Sequence, residues 1–316
     1  MKLLNVPTLA QVIVVRTDVI VLVGNFTCKN MNRYKYIDEK RQHLHTLDSR
    51  PLIGTSTVTK IIGGDKTGGL IWWASGMAVG KLGWTSPKIK DANGKVIGQV
   101  AKEKRLEEAE KALNSLSGLT PEQYLDVLDE AYKAHDTKKK DSGVKGTARH
   151  ELLEKYVKLM IADQDGVPYK MNGAYEEIDE FEEIDAFIDW ACKNIKRFLW
   201  SELHCYNEDL WTGGIADVGW EDMGGRIIAG DFKSSKEAYF DQVVQIAGYD
   251  MEISHSGGLT KDGDKMFELP KPIQGYCVIP FGGETLIPEM FWDVESFKKD
   301  FVSALSLHKS STNFKQ

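Results

Sequence analysis

Leu199-Trp200-Ser201-Glu202-Leu203-His204-Cys205-Tyr206, Gly213-Gly214-Ile215-Ala216-Asp217-Val218-Gly219-Trp220 and Arg226-Ile227-Ile228-Ala229-Gly230-Asp231-Phe232-Lys233 read as three short strands in quick succession. Met223-Gly224-Gly225 supplies a hairpin turn between the last two. Residues two apart on a strand share a face, so Asp231 and Lys233 point the same way. Counted outward from a turn centred near Gly224, Asp217 and Asp231 lie equally far back and forward, which sets the two carboxylates opposite each other. Neighbouring buried carboxylates repel, and a hard divalent cation relieves that repulsion. A lysine two residues beyond such an aspartate can hold a water or a phosphate oxygen and offset developing negative charge.

Two helices extend this set. Lys145-Gly146-Thr147-Ala148-Arg149-His150-Glu151-Leu152-Leu153-Glu154 opens an amphipathic helix to about Ile161, with the Gly-Thr step as its start and His150 on its first turns. Downstream, Gln245 and Tyr249 stand four apart on one face of a helix expected from Glu237 to Ser254. They read either as a helix face meeting the sheet or as contacts to DNA and to the groups behind the site. Glu202 reads either as a surface strand residue or as a further ligand.

The order Gly-Thr-x-x-His, Glu, Gly-x-x-Asp, Asp-x-Lys, Gln-x-x-x-Tyr resembles the RecB-type branch of the PD-(D/E)xK nuclease superfamily, which includes phage exonucleases, over about residues 54 to 310. The resemblance implies an α/β restriction-endonuclease-like core, a central mixed β-sheet flanked by helices. It implies Mg2+ or Mn2+ held by His150, Asp217, Asp231 and the Phe232 carbonyl, with Lys233 catalytic. Glu202 matches an upstream glutamate that some members use at a second metal or through water. Gln245 and Tyr249, with Lys145 and Arg149, would contact DNA or the groups behind the ligands. The implied activity is a metal-dependent deoxyribonuclease, an exonuclease in phage or mobile-element recombination and repair. It would act on DNA with a free end, beside a recombinase or single-strand-annealing partner, in the cytoplasm of a bacterial or phage-infected cell. Rival readings are a non-catalytic nucleic-acid-binding member of the fold, a structure-specific endonuclease, and a metallohydrolase acting on RNA or small phosphate esters.

A chain of 316 residues accommodates one elaborated domain. The expected division is an N-terminal extension over residues 1–42, in which two apolar runs around Arg16-Thr17-Asp18 suggest a β-hairpin, and a nuclease domain over 43–316 with a helical insertion at about 99–140. Neither apolar run reaches the length of a membrane span, and Gln11, Arg16 and Asp18 interrupt a signal-peptide pattern. The formal charge of −7 argues against an all-over basic surface. Charge is uneven, however: eight acidic residues crowd between Glu176 and Asp189, and Lys133, Lys138, Lys139, Lys140, Lys145 and Arg149 precede His150.

The second cluster falls in what reads as a mobile basic loop, Asp136 to Val144, that would grip phosphates. Thr120-Pro121-Glu122 reads as a helix start, and Glu177 to Trp200 as a long helix. Beyond Tyr249 come a Gly-rich loop at Gly257-Gly258, strands Ile273–Pro280 and Thr285–Phe291, and a helix from Val294 to about His308. Trp72 and Trp73 read as core. Gly76-Met77-Ala78-Val79-Gly80-Lys81-Leu82 fails as a phosphate loop, being one residue short and lacking the Ser or Thr after lysine. Cys28, Cys192, Cys205 and Cys277 lack the late cluster with which some relatives hold an iron–sulfur centre, so none is expected.

Overall fold

The computed structural model describes residues 33–39, 42–63, 67–90, 95–169, 184–283, 286 and 288–314. The apolar runs around Arg16 to Asp18, Cys28 and most of the acidic run therefore lie outside the described residues. The chain begins with β1 (Tyr34–Glu39), β2 (Gln42–Leu47), β3 (Arg50–Pro51) and β4 (Ile53–Gly54), then α1 (Thr55–Thr59) and α2 (Thr67–Lys81). A hairpin of β5 (Lys88–Lys90) and β6 (Val96–Gln99) precedes α3 (Lys102–Leu116) and α4 (Pro121–Asp163). Next come α5 (Asp185–Asn194), β7 (Ile195–Asn207), β8 (Thr212–Asp222), β9 (Ile227–Lys233) and α6 (Phe240–Ser256). β10 (Gly258–Leu259), β11 (Lys265–Phe267), β12 (Ile273–Pro280), β13 (Glu289–Phe291) and α7 (Val294–Asn313) follow.

The main sheet is mixed, with strand order β11-β10-β7-β8-β9-β12-β13. β7, β8 and β9 form an antiparallel meander, and β12 lies parallel to β9, with α6 as the connection between them. β4 adds two residues parallel to β8. The β8–β9 turn closes through Gly225 N–H to Asp222 O, with Gly225 at φ +77°, a conformation that costs glycine little. Val218 stands opposite Gly230, which is the register that sets Asp217 beside Asp231.

Helices cover both faces of this sheet. On one, Leu153, Tyr156, Val157 and Met160 of α4 and Phe187, Ile188 and Ala191 of α5 pack with Val218, Trp220, Ile228 and Phe232. On the other, Val243, Ile246 and Ala247 of α6 pack with Leu203, Ala216, Ala229 and Ile273. α1 and α7 close over the outer side of α6 through Val58, Val244, Phe301 and Leu305. Among the described residues, no helix is long and apolar enough to cross a membrane.

Several expectations fail locally. The helix expected over Glu177 to Trp200 ends at Asn194, whose side-chain amide caps Trp190 O. Ile195 and Phe198 continue the same apolar count into β7, where they still reach the α4–α5 core, so a helical period extended by chance across a helix–strand junction. The expected basic loop at Asp136 to Val144 and the helix start at Gly146-Thr147 are both interior to α4, which runs unbroken for 43 residues. Its start at Thr120-Pro121 carries the full capping box, Thr120 and Gln123 each binding the other's backbone. Beyond Pro121 the helix contains no proline, and alanine and lysine are good formers that carry it through Gly143 and Gly146. The expected insertion at about 99–140 thus comprises α3 and only the first half of α4. Trp73 is 40% exposed on α2 and not core, and the Trp72 side chain lies outside the described residues. Gly258 belongs to a short strand, β10, rather than to a loop.

Candidate metal centre

Three adjacent strands and one helix converge at the middle of the sheet. Leu203 pairs with Ala216 and Ser201 with Val218, so Glu202 of β7 falls opposite Asp217 of β8, which in turn falls beside Asp231 of β9. A row of three carboxylates crosses the strands. Glu202 occupies the left-handed region at φ +50°. That interrupts the alternation of β7: Trp200 and Leu203, three apart, reach the same core, and Glu202 is released from it.

From the other side α4 supplies His150, anchored by the buried Leu153 and Tyr156 that follow it. Its Nε2 lies 3.1 Å from Asp217 Oδ2, and the Phe232 N–H donates to the same oxygen at 3.0 Å. One atom each from His150, Glu202 and Asp217 lies within 4.8 Å of the others. An imidazole nitrogen and two carboxylate oxygens so placed are a donor set for a divalent cation. The open cleft above is lined by His150, Glu154, Glu202, Phe232, Lys233 and Ser234, among others.

Protonation follows from this crowding. The hydrogen bond to Asp217 raises His150 to about 9 against the opposing effect of burial. Burial, with Asp217 and Glu154 nearby, pushes Glu202 up to about 7. Burial also acts to raise Asp217, but the His150 hydrogen bond and the Lys233 charge outweigh it and hold this carboxyl below the usual range. Asp231 is wholly buried and raised, burial outweighing Lys233. Its oxygens receive no hydrogen bond of ordinary geometry among the described residues and face Lys233 Nζ as an ion pair. A carboxylate held in this way is costly unless positive charge is supplied.

The structure therefore brings together His150, Glu202, Asp217, Asp231 and Lys233, with the tightest trio excluding Asp231. Gln245 and Tyr249 bind each other, Gln245 Nε2 donating to Tyr249 Oη. Tyr249 is buried against Gly214, where an added Cβ would fall 2.5 Å from its ring, so it supports β8 from beneath. Arg149 donates to Phe281 O at 2.9 Å. The Lys145 side chain lies outside the described residues. Sequence reading did not assign Glu154 to the site. Its signal was its place one helical turn beyond His150, which turns it toward Glu202, with Lys158 as its ion-pair partner. Also unanticipated is buried Glu252, held by Thr55 Oγ1 at 2.5 Å and pushed by burial up to about 8, which ties α1 to α6. Cys192, Cys205 and Cys277 are free thiols. No protein-family model matches the chain, and no curated protein matches it in a sequence search.

Proposed function

We propose that this chain is a metal-dependent deoxyribonuclease of the PD-(D/E)xK type, with a restriction-endonuclease-like core. The observation that carries the reading is the convergence of His150, Glu202 and Asp217 within 4.8 Å beside the buried Asp231–Lys233 pair. The donor set fits a cation on its own terms: two carboxylates raised by burial beside a third that is hydrogen-bonded to an imidazole are a charge arrangement that Mg2+ or Mn2+ would relieve. His150, Glu202 and Asp217 would hold the ion, with Asp231 and the Phe232 carbonyl beside them. When bound, a divalent ion lowers the pKa of water and polarises a phosphoryl oxygen. Lys233, kept protonated by Asp231 and Asp217 despite its own burial, would orient the attacking water and offset the charge that grows on the phosphorus oxygens. Asp217 fixes His150 in orientation, and the Phe232 amide fixes Asp217.

We further propose that cleavage starts from DNA ends, in recombination or repair. The sequence carries no separable base-reading module, so end recognition supplies the restraint that target recognition would otherwise give. A time course on end-labelled linear and covalently closed circular DNA, with Mn2+ or Mg2+ and with EDTA, tests both claims. Expected is loss of linear DNA alone, dependent on metal. Discrete linear fragments arising from closed circles would overturn end dependence, and inert DNA under every condition would overturn the nuclease reading.

A further inference from the structure

We propose that the β5–β6 hairpin and the start of α3 form a basic wing that holds the backbone of duplex DNA away from the cleavage site. This rests on the nuclease reading for its biological setting, but its test needs no cleavage. Over residues 88–105 the chain carries Lys88, Lys90, Lys95, Lys102, Lys104 and Arg105 against Asp91 and Glu103, within a protein of net charge −7. Such local reversal of charge is the electrostatic footprint of a polyanion site.

Structure gives the patch a shape. Among the described residues, β5 and β6 pair only with each other and stand apart from the main sheet. Lys88, Ile89, Lys90, Val96 and Ile97 are all exposed, with Ile97 63% so. An isolated two-stranded hairpin is marginal in water, and nothing among the described residues covers this one. A two-stranded ribbon also has the width of the DNA major groove. Arg105 Nε donates to Thr85 O, which fixes the head of α3 against the segment leading into β5. Lys102 and Lys104 follow at once on the exposed first turn of α3.

Distance defines what the wing can reach. α2, the helix that leads into the wing, ends at Lys81, 3.7 Å from Glu130 of α4. Glu130 and His150 are twenty residues apart on the same helix, about 30 Å along its axis. A duplex laid beside α4 would cover that span with about nine base pairs. The wing should therefore contribute to binding only for duplexes longer than this.

Fluorescence anisotropy in EDTA, with labelled duplexes of about eight and about 24 base pairs, measures it directly. Wild type should bind the long duplex well beyond the gain from its greater number of sites. Lys88→Glu/Lys90→Glu should weaken long-duplex binding at least about tenfold, lower the salt slope by about two phosphate contacts, and leave short-duplex binding unchanged. Lys88→Arg/Lys90→Arg should retain wild-type binding. Circular dichroism and urea midpoints establish that each variant is folded. Equal loss on both duplexes, or no loss on either, overturns the wing. So does a charge reversal that releases the protein from anionic phospholipid vesicles without altering DNA binding. An active nuclease with wing-independent binding would refute this inference alone, whereas wing-dependent binding without metal-supported cleavage would refute the nuclease reading alone.

Discussion

The two halves of α4 live in different worlds. From Leu153 to Met160 its inner face is sealed: Leu153, Tyr156, Val157 and Met160 have no exposed surface. From Pro121 to Lys140, among the described residues, only Ala131 and Ala134 are buried, while Leu125 and Tyr132, the latter 76% exposed, face outward. One half is held by tertiary packing and positions His150. The other is held by local helix propensity, a capping box and contact with α2. The proposed function, with its site at the sealed end, predicts that the same chemical change has consequences of very different size at the two ends.

The largest difference should appear in the carboxylates that the sealed half faces. Asp217→Asn or Asp231→Asn should abolish cleavage, with the protein folded and, for Asp231→Asn, at least as stable, because a buried charge is removed. Lys233→Ala should lose on the order of a hundredfold in rate while the protein still binds Mn2+. Tyr132→Ser, on the open half, should leave turnover of a short oligonucleotide unchanged. Single-turnover rates and calorimetric Mn2+ titrations provide the comparison. Wild-type rates in either aspartate variant would remove the site from consideration.

Next in size is the effect of His150. Imidazole suits borderline ions better than it suits Mg2+, so Mn2+ should support activity at least as well as Mg2+, and His150→Ala should depress the Mn2+-supported rate more. Metal binding must also expel the proton that Asp217 holds on His150 at neutral pH, and that which burial retains on part of the Glu202 population. Affinity for Mn2+ should consequently climb as pH rises from about 7 to about 9. Proton release, read from calorimetry in buffers of differing ionisation enthalpy, checks this. A pH-independent affinity would place both residues outside the ligand set.

Without metal the same pair acts in the opposite direction on stability. His150 moves from an ordinary 6.5 up to about 9 in the folded chain. Its contribution is therefore complete below about pH 6.5 and is lost as pH rises through about 9. Asp217, shifted downward, contributes above its ordinary 3.8 and loses that only in acid. Urea midpoints in EDTA should fall between about pH 6 and about pH 9.5, and His150→Gln should flatten this part of the profile. An unchanged slope in the variant would assign the dependence to other groups.

How much of this was legible follows the same division. The strands that carry Asp217 and Asp231 announce themselves through Met223-Gly224-Gly225 and a register fixed by the turn, and β12 was marked to both ends by its apolar run. Burial leaves a pattern in the sequence there. Glu202 was harder to place, because its positive φ breaks the alternation on which strand reading depends. Most opaque was the stretch from Asp136 to Val144: lysines, Asp141, Ser142 and Gly143 suit a solvated loop and a solvated helix alike, and no apolar stripe separates the two.

The smallest effect is the cleanest probe of the division, since it applies one substitution to two helical glycines. Replacing an interior helical glycine by alanine gains up to about 1 kcal/mol from propensity alone. At Gly76, within α2, an added Cβ meets nothing within 4 Å, so Gly76→Ala should realise that gain as a higher urea midpoint without change in activity. At Gly146 the added Cβ would lie 3.1 Å from Ser234 Cβ, closer than an ordinary contact. Ser234 follows Lys233, so the helix can regain its distance only by moving α4 or the end of β9, and either motion alters the spacing of His150 to Lys233. Gly146→Ala should forfeit part of the propensity gain and lower the cleavage rate several-fold. Equal stabilisation at both glycines with undiminished activity would show that α4 and β9 can separate freely, and that the close approach at Gly146 does not set the geometry of the site.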